Sequence, residues 1–146
     1  MQIESLIQYK GEVMRHRLYF THSEIQGIEC VDIGLELSKE IEGFLNQSQL
    51  PMIASDKLDF LIDNHTVHVK DIGEVVVLRN IGILFEPALK INVQAKFDIY
   101  SRGRTVVVQM EGSTINDGRL YLDYGRDRRM SVDLKHLTYK EIYDEI

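Results

Sequence analysis

Six arginines fall between positions 100 and 130: Arg102, Arg104, Arg119, Arg126, Arg128 and Arg129. Four acids share that stretch, namely Glu111, Asp117, Asp123 and Asp127. With Tyr121 and Tyr124 interleaved, such a cluster has the chemistry to contact phosphates and to stack on a base. The competing reading is a solvated loop with local ion pairs, and the net charge of -6 on the whole chain favours it. His65-x-x-His68, with Asp63 and Asp71 nearby, has the residue types of a metal pair. Residues three apart on a strand point to opposite faces, so surface histidines at a strand start are the better reading. Cys30 lies in an alternating run and reads as a small buried hydrophobe rather than a nucleophile. Glu36, Glu40 and Glu42 look like a solvated helix face. No Ser, His and Asp grouping sits on a nucleophile-elbow motif. These residues therefore nominate no catalytic group, no metal ligand and no cofactor.

The bulk properties set the frame for those residues. At 146 residues the chain is long enough for one domain with a sizeable core. Apolar residues make up 44% and charged residues 27%, the balance of a soluble globular protein. A single cysteine cannot form an internal disulfide or a structural zinc site, and makes the cytoplasm the default compartment. No stretch approaches the ~18 consecutive apolar residues of a membrane span, so no membrane partner is expected. Met1 to Glu4 lacks the basic and apolar regions of a signal peptide.

Periodicity supplies the elements. Ile3, Leu6, Ile7 and Met14 predict an amphipathic helix over 2–16, weakened by Gly11. Residues 17–21 and 28–33 read as strands. Leu37, Ile41, Phe44 and Leu45 predict a helix, and a second is capped by Ser55 and carries Leu58, Leu61 and Ile62. Strands follow at 66–69 and 74–78, with a turn at 71–73. Leu89, Val93, Phe97 and Tyr100 share a helix face, with Asn92 as the cap of its main part and Gly103 as its closing glycine. Residues 105–110 form an apolar strand, so strand, helix and strand make a parallel βαβ unit. Asn116-Asp117-Gly118 is a turn, after which Leu120-Tyr121-Leu122 returns antiparallel to that strand. A short strand at 130–134 follows, and Thr138 with Glu141 forms a capping box for a C-terminal helix. The fold class is α/β: a single domain over 1–146, with a mostly parallel central sheet, flanking helices and a C-terminal hairpin.

A nucleotide site needs further residues. A phosphate-binding loop requires G-x-x-x-x-G-K-[ST], and this chain contains no Gly-Lys dipeptide. G-x-G-x-x-G is also absent. Yet several pieces occur in order: Val75-Val76-Val77-Leu78-Arg79, then Ile83-Leu84-Phe85-x-Pro87-x-Leu89-Lys90, then Ser101-Arg102-x-Arg104-Thr105, Gly112, and Gly118-Arg119-Leu120. On these residues the segment 75–124 resembles the C-terminal half of the small P-loop ATPase-like subunit (BrxF) of type 3 BREX phage-defence systems. With Val31 to Ser38 the resemblance covers about two thirds of the chain. It implies a P-loop-like core, in which the strand at 75–78 would end in an Asp that holds Mg²⁺. Arg79 stands there instead, and a cation repels Mg²⁺. The resemblance also implies a phosphate loop and helix between the first two strands. Phe20 to Ile28 is too short for a parallel crossover, so those strands form a hairpin or lie apart.

These readings converge on a degenerate, non-hydrolysing relative, an accessory protein rather than an enzyme. It would bind a protein partner inside a defence-related assembly. The contact candidates are Arg79, Arg102, Arg104, Arg126, Arg128 and Arg129. The alternatives are a nucleic-acid-binding module that uses the arginine-rich loop and an enzyme with an unrecognised site. A C-terminal helix with Tyr139 and Tyr143 could also supply a homo-oligomer interface, although core packing is the commoner use of such a stripe.

Overall fold

Strands at 75–78 and 105–109 are buried on both faces, and that dictates the architecture. Val75, Val76, Val77, Leu78, Val106, Val107 and Val108 are at most 1% exposed. Alternate side chains of a strand leave the sheet on opposite sides, so both faces must be covered. The computed structural model describes residues 1–122 and 128–143 and shows how this is done.

The strands are β1 (Leu18–Thr21), β2 (Cys30–Asp32), β3 (Val67–Val69), β4 (Gly73–Arg79), β5 (Thr105–Gln109), β6 (Thr114–Asn116), β7 (Arg119–Tyr121), β8 (Ser131–Asp133) and β9 (Tyr139–Ile142). The α-helices are α1 (Ile33–Ile41), α2 (Leu50–His65) and α3 (Val93–Tyr100). The main sheet runs β2-β4-β5-β1-β9, all parallel. β3 adds antiparallel to the first half of β4, through Val67↔Val75, while β2 pairs with the second half, through Cys30↔Val77. β6, β7 and β8 form a separate antiparallel sheet. The fold is α/β, with a mostly parallel central sheet, flanking helices and an antiparallel hairpin sheet.

The two faces of the main sheet are covered unequally. One meets α1, α2, α3 and the small sheet, and buries Leu18, Phe20, Val76, Leu78, Val106 and Val108 among Leu37, Leu58, Ile62, Phe97, Leu120 and Leu134. The other buries Tyr19, Val75, Val77, Val107 and Ile142 under Ile3, Leu6, Ile25 and Ile72. That thin cover is a 3₁₀ helix at Ile3–Tyr9, Ile72 from the turn between β3 and β4, and the connection 22–29. β1 and β2 lie apart, with β5 and β4 between them; contrary to the expectation that the stretch is too short for a parallel crossover, residues 22–29 make one, without a helix. It is fastened by Ile3 N–H to the Gln26 carbonyl and Gln26 N–H to the Met1 carbonyl, both 2.8 Å. Gly27, at φ 88°, permits the close pass: a Cβ there would sit 3.2 Å from Ile3.

Several expectations are overturned. The helix over 2–16 is a 3₁₀ helix that ends at Tyr9; its buried residues, Ile3 and Leu6, are three apart, the 3₁₀ period, and Ile7 is 47% exposed. Helix α2 starts at Leu50 with Pro51 in its first turn, so Ser55 lies inside it, accepting a hydrogen bond from Lys96 Nζ at 2.7 Å. Leu89 belongs to a 3₁₀ turn; Lys90, at φ 49°, breaks the chain before α3. Asn92 caps α3, accepting from Ala95 N–H at 3.0 Å, whereas Ser101 closes the helix and Gly103 is not left-handed. β7 does not return along β5, because both edges of β5 are taken by β4 and β1. It pairs with β6 instead, through a turn with positive φ at Asp117 and Gly118. The capping box at 138–141 is not formed. Tyr139–Ile142 is β9, parallel to β1 in the register Leu18↔Tyr139, which covers the edge of β1 and buries Ile142.

Phe97 anchors α3 to the sheet, 1% exposed, with its ring 6.0 Å edge-on from Phe20. Phe97→Ala should cost about 3–5 kcal/mol, read as a lower urea midpoint with an unchanged slope.

Candidate functional site

In open parallel sheets the carboxyl ends of the strands are where ligands bind. Here those ends frame a crevice of about 420 Å³, lined by His22, Ser23, Glu24, Cys30, Arg79, Gln109, Met110 and Glu111. Asp32 is its organising residue. It ends β2 and caps α1, Oδ1 accepting from Leu35 N–H at 2.9 Å. The same oxygen accepts from Asn80 Nδ2 at 2.8 Å, and Oδ2 lies 3.1 Å from the Arg79 guanidinium. Arg79 also reaches Glu111, 3.7 Å away, beyond β5. A single cation thus joins the ends of β2, β4 and β5. Asn80 takes a left-handed φ of 53°, which lets its carbonyl accept from Gly34 N–H at 3.0 Å. Any side chain at Gly34 would strike Asn80, since a Cβ would sit 2.4 Å from Nδ2.

The electrostatics of the crevice are acidic around that cation. Glu24 and Glu111 line it, and Glu141 pairs with His22 at 3.2 Å beside a His22–Tyr143 stack. The Leu35 N–H bond, aided by Asn80 and Arg79, holds the Asp32 carboxyl below its usual range. Burial pushes the Cys30 thiol up to about 11, so it stays protonated at neutral pH and is a poor nucleophile. The peptide after β1 offers no helix N-terminus toward the crevice, the usual anion cradle.

The arginines nominated from sequence do not share one site. Arg79 is at the carboxyl end of the sheet. Arg102 and Arg104 precede β5, at the opposite end. Arg102 grips Asp98 with two bonds, at 2.7 and 3.0 Å. Arg104 pairs with Asp63 at 3.0 Å, donates to Thr66 Oγ1 at 2.9 Å and lies over the Tyr100 ring. Arg129 is exposed at the edge of a smaller crevice shared with Lys90 and Asp133. The backbone of Arg128 opens a 3₁₀ turn, Arg128–Met130; Arg126 and Tyr124 lie outside the described residues. His65 ends α2, 3.8 Å from Glu29, and His68 on β3 is 3.1 Å from Glu74, so each faces its own carboxylate. Among the described residues no three His, Cys, Asp or Glu side chains are grouped to hold a metal ion.

Sequence reasoning missed Asp32, Asn80 and Glu111. An N-cap signal was present at Asp32, an acid that ends an apolar alternation just before a helical period. Its bond to Asn80 spans 48 residues and has no local signature. It also missed His16, 2% exposed. His16 Nε2 lies 2.6 Å from Asp98, the carboxylate that Arg102 grips, and Nδ1 accepts from Thr138 N–H at 3.1 Å. The Thr138 hydroxyl in turn accepts from His16 N–H at 2.6 Å. Acid, imidazole and hydroxyl occur in the order of a nucleophilic triad. The imidazole lone pair is already committed to an amide, so the set works as a fastener of α3, β1 and β9.

Two outcomes follow from these networks. His16→Ala should cost about 1–3 kcal/mol and speed amide exchange across 139–142, measured by hydrogen–deuterium exchange. Asp32 has a depressed folded pKa, so its contribution is full above the unfolded value of ~3.9 and is lost as pH falls through the folded pKa. Chemical denaturation between pH 5 and 2 should therefore show a weaker pH dependence in Asp32→Asn than in the parent, with the cap retained through Oδ1.

No family model matches this chain, and neither a curated protein nor a solved structure matches it.

Proposed function

We propose that this chain is a non-catalytic interaction protein with a degenerate P-loop-like core, working in the cytoplasm as part of a phage-defence-related assembly. The observation that carries the reading is Arg79. At the carboxyl end of β4, where a P-loop ATPase would keep the Asp that holds Mg²⁺, a guanidinium lies between Asp32 and Glu111. It occupies with a fixed protein cation the ground a bound metal would need. The helix-free connection after β1 supports the same reading, since triphosphate binding draws on backbone N–H groups at a helix start. The surrounding carboxylates would repel a phosphate that entered.

A nucleic-acid role is the weaker reading, because Arg102 and Arg104 are paired with Asp98 and Asp63. No helix among the described residues is long and apolar enough to cross a membrane.

Calorimetric titration with Mg-ATP tests the proposal. No saturable heat is expected up to millimolar nucleotide, in the parent and in Arg79→Ala alike. Micromolar binding by the parent protein would sink the reading.

A further inference from the structure

On the helical face, α1, the start of α2 and the 3₁₀ turns after β4 enclose a groove of about 510 Å³. Its floor is apolar: Leu35, Ile41, Leu45, Leu50, Ile83 and Leu89. Leu35 is 50% exposed and Leu45 57%, large side chains left in water at the mouth of a concavity. Adjacent exposed apolar groups around a groove mark an interaction surface. The rim carries Lys39, Glu42 and Glu86. Lys39 lies 4.0 Å from Glu36 on its own helix. Among the described residues, neither the Glu42 nor the Glu86 carboxylate has a hydrogen-bond or ion-pair partner. The groove thus pairs an apolar floor with two unanswered negative charges. From Leu35 to Glu42 the α1 wall extends about 10 Å at 1.5 Å per residue, two turns of a docked helix.

We infer that this groove receives an amphipathic helix of a partner protein. That helix would set two or three large apolar side chains, at i, i+4 and i+7 spacing, on the leucine floor, with Lys or Arg at its flanks meeting Glu42 and Glu86. The charge decides between occupants. An anionic lipid or fatty acid would bring a negative headgroup to a rim where Glu42 and Glu86 outnumber Lys39, which already faces Glu36. A second copy of this chain, docked about a two-fold axis, would bring the same two carboxylates toward each other. A basic amphipathic helix answers both the floor and the rim. The inference rests on the interaction-protein reading and names the chemistry of the partner.

The test uses two stapled helical peptides with identical leucines at i, i+4 and i+7, one flanked by lysines and the other by glutamates. Fluorescence anisotropy at low salt should show the lysine peptide binding at least ~10-fold tighter. The double substitution Glu42→Lys with Glu86→Lys should reverse that preference. Leu35→Asp and Leu45→Asp, at exposed positions, should each abolish binding while the melting temperature holds. Equal affinity for the two peptides, no binding of the lysine peptide, or binding indifferent to Leu35→Asp would overturn the inference. So would sedimentation showing the parent protein self-associated and Leu45→Asp monomeric. The Mg-ATP titration reads the sheet edge and not this groove, so the two failures are distinguishable.

Discussion

The whole molecule depends on two strands that are buried on both faces. β4 and β5 place Val75, Val77 and Val107 on one side of the sheet, and Val76, Leu78, Val106 and Val108 on the other, all out of water. Burying one such side chain is worth about 1.5–3 kcal/mol, so neither face can be left open. Three helices and a small sheet cover one face. On the other the cover is a short 3₁₀ helix, an irregular connection and Ile72 from the turn between β3 and β4. That second layer holds because its backbone is tied in, with Ile3 and Gln26 exchanging ladder-like bonds with their neighbours. The N-terminal residues thus roof a sheet face that would otherwise be exposed.

The same economy governs the carboxyl edge. Parallel strands end with their carbonyls and side chains converging, and in many α/β proteins a ligand completes that end. Here the protein completes it internally. Arg79 joins Asp32 and Glu111, Asn80 adds a bond to Asp32, and Gly34 makes room for Asn80. Asp32 bonds three partners because a carboxylate has two oxygens and about four lone-pair sites. A site arranged this way is a structural junction first. The groove beside α1 lies on a separate part of the molecule.

Opposite this edge, the arginines before β5 are paired within the chain, Arg102 at the surface and Arg104 half-buried. Arg102 holds Asp98 for His16, and Arg104 ties β5 to the end of α2 through Asp63 and Thr66. A run of basic residues reads from composition as a patch for an outside anion. In the fold, acids one helical turn away or on a neighbouring helix reach the guanidinium groups first. Arg102 and Asp98 are such a pair at i and i+4, which a helix brings together.

What the sequence by itself determined were the features that a few neighbouring residues specify. The double-sided apolar runs predicted central parallel strands, Asn92 its helix cap, and Asn116-Asp117-Gly118 its hairpin turn, because burial period and turn conformation are local properties. The short stretch after β1 likewise showed that no crossover helix could stand there. Only the tertiary structure decided the rest. Thr138 to Glu141 has a sound local signal for a helix. It becomes a strand because the open edge of β1 offers four residues a ladder, and His16 offers Thr138 its bonds. The Asp32–Arg79–Asn80 junction joins residues separated by nearly fifty positions, and Arg79, Arg102 and Arg104 were sorted by which acids folding brought to them. Contacts of that kind are set by strand order, and no local pattern encodes which distant strands become neighbours.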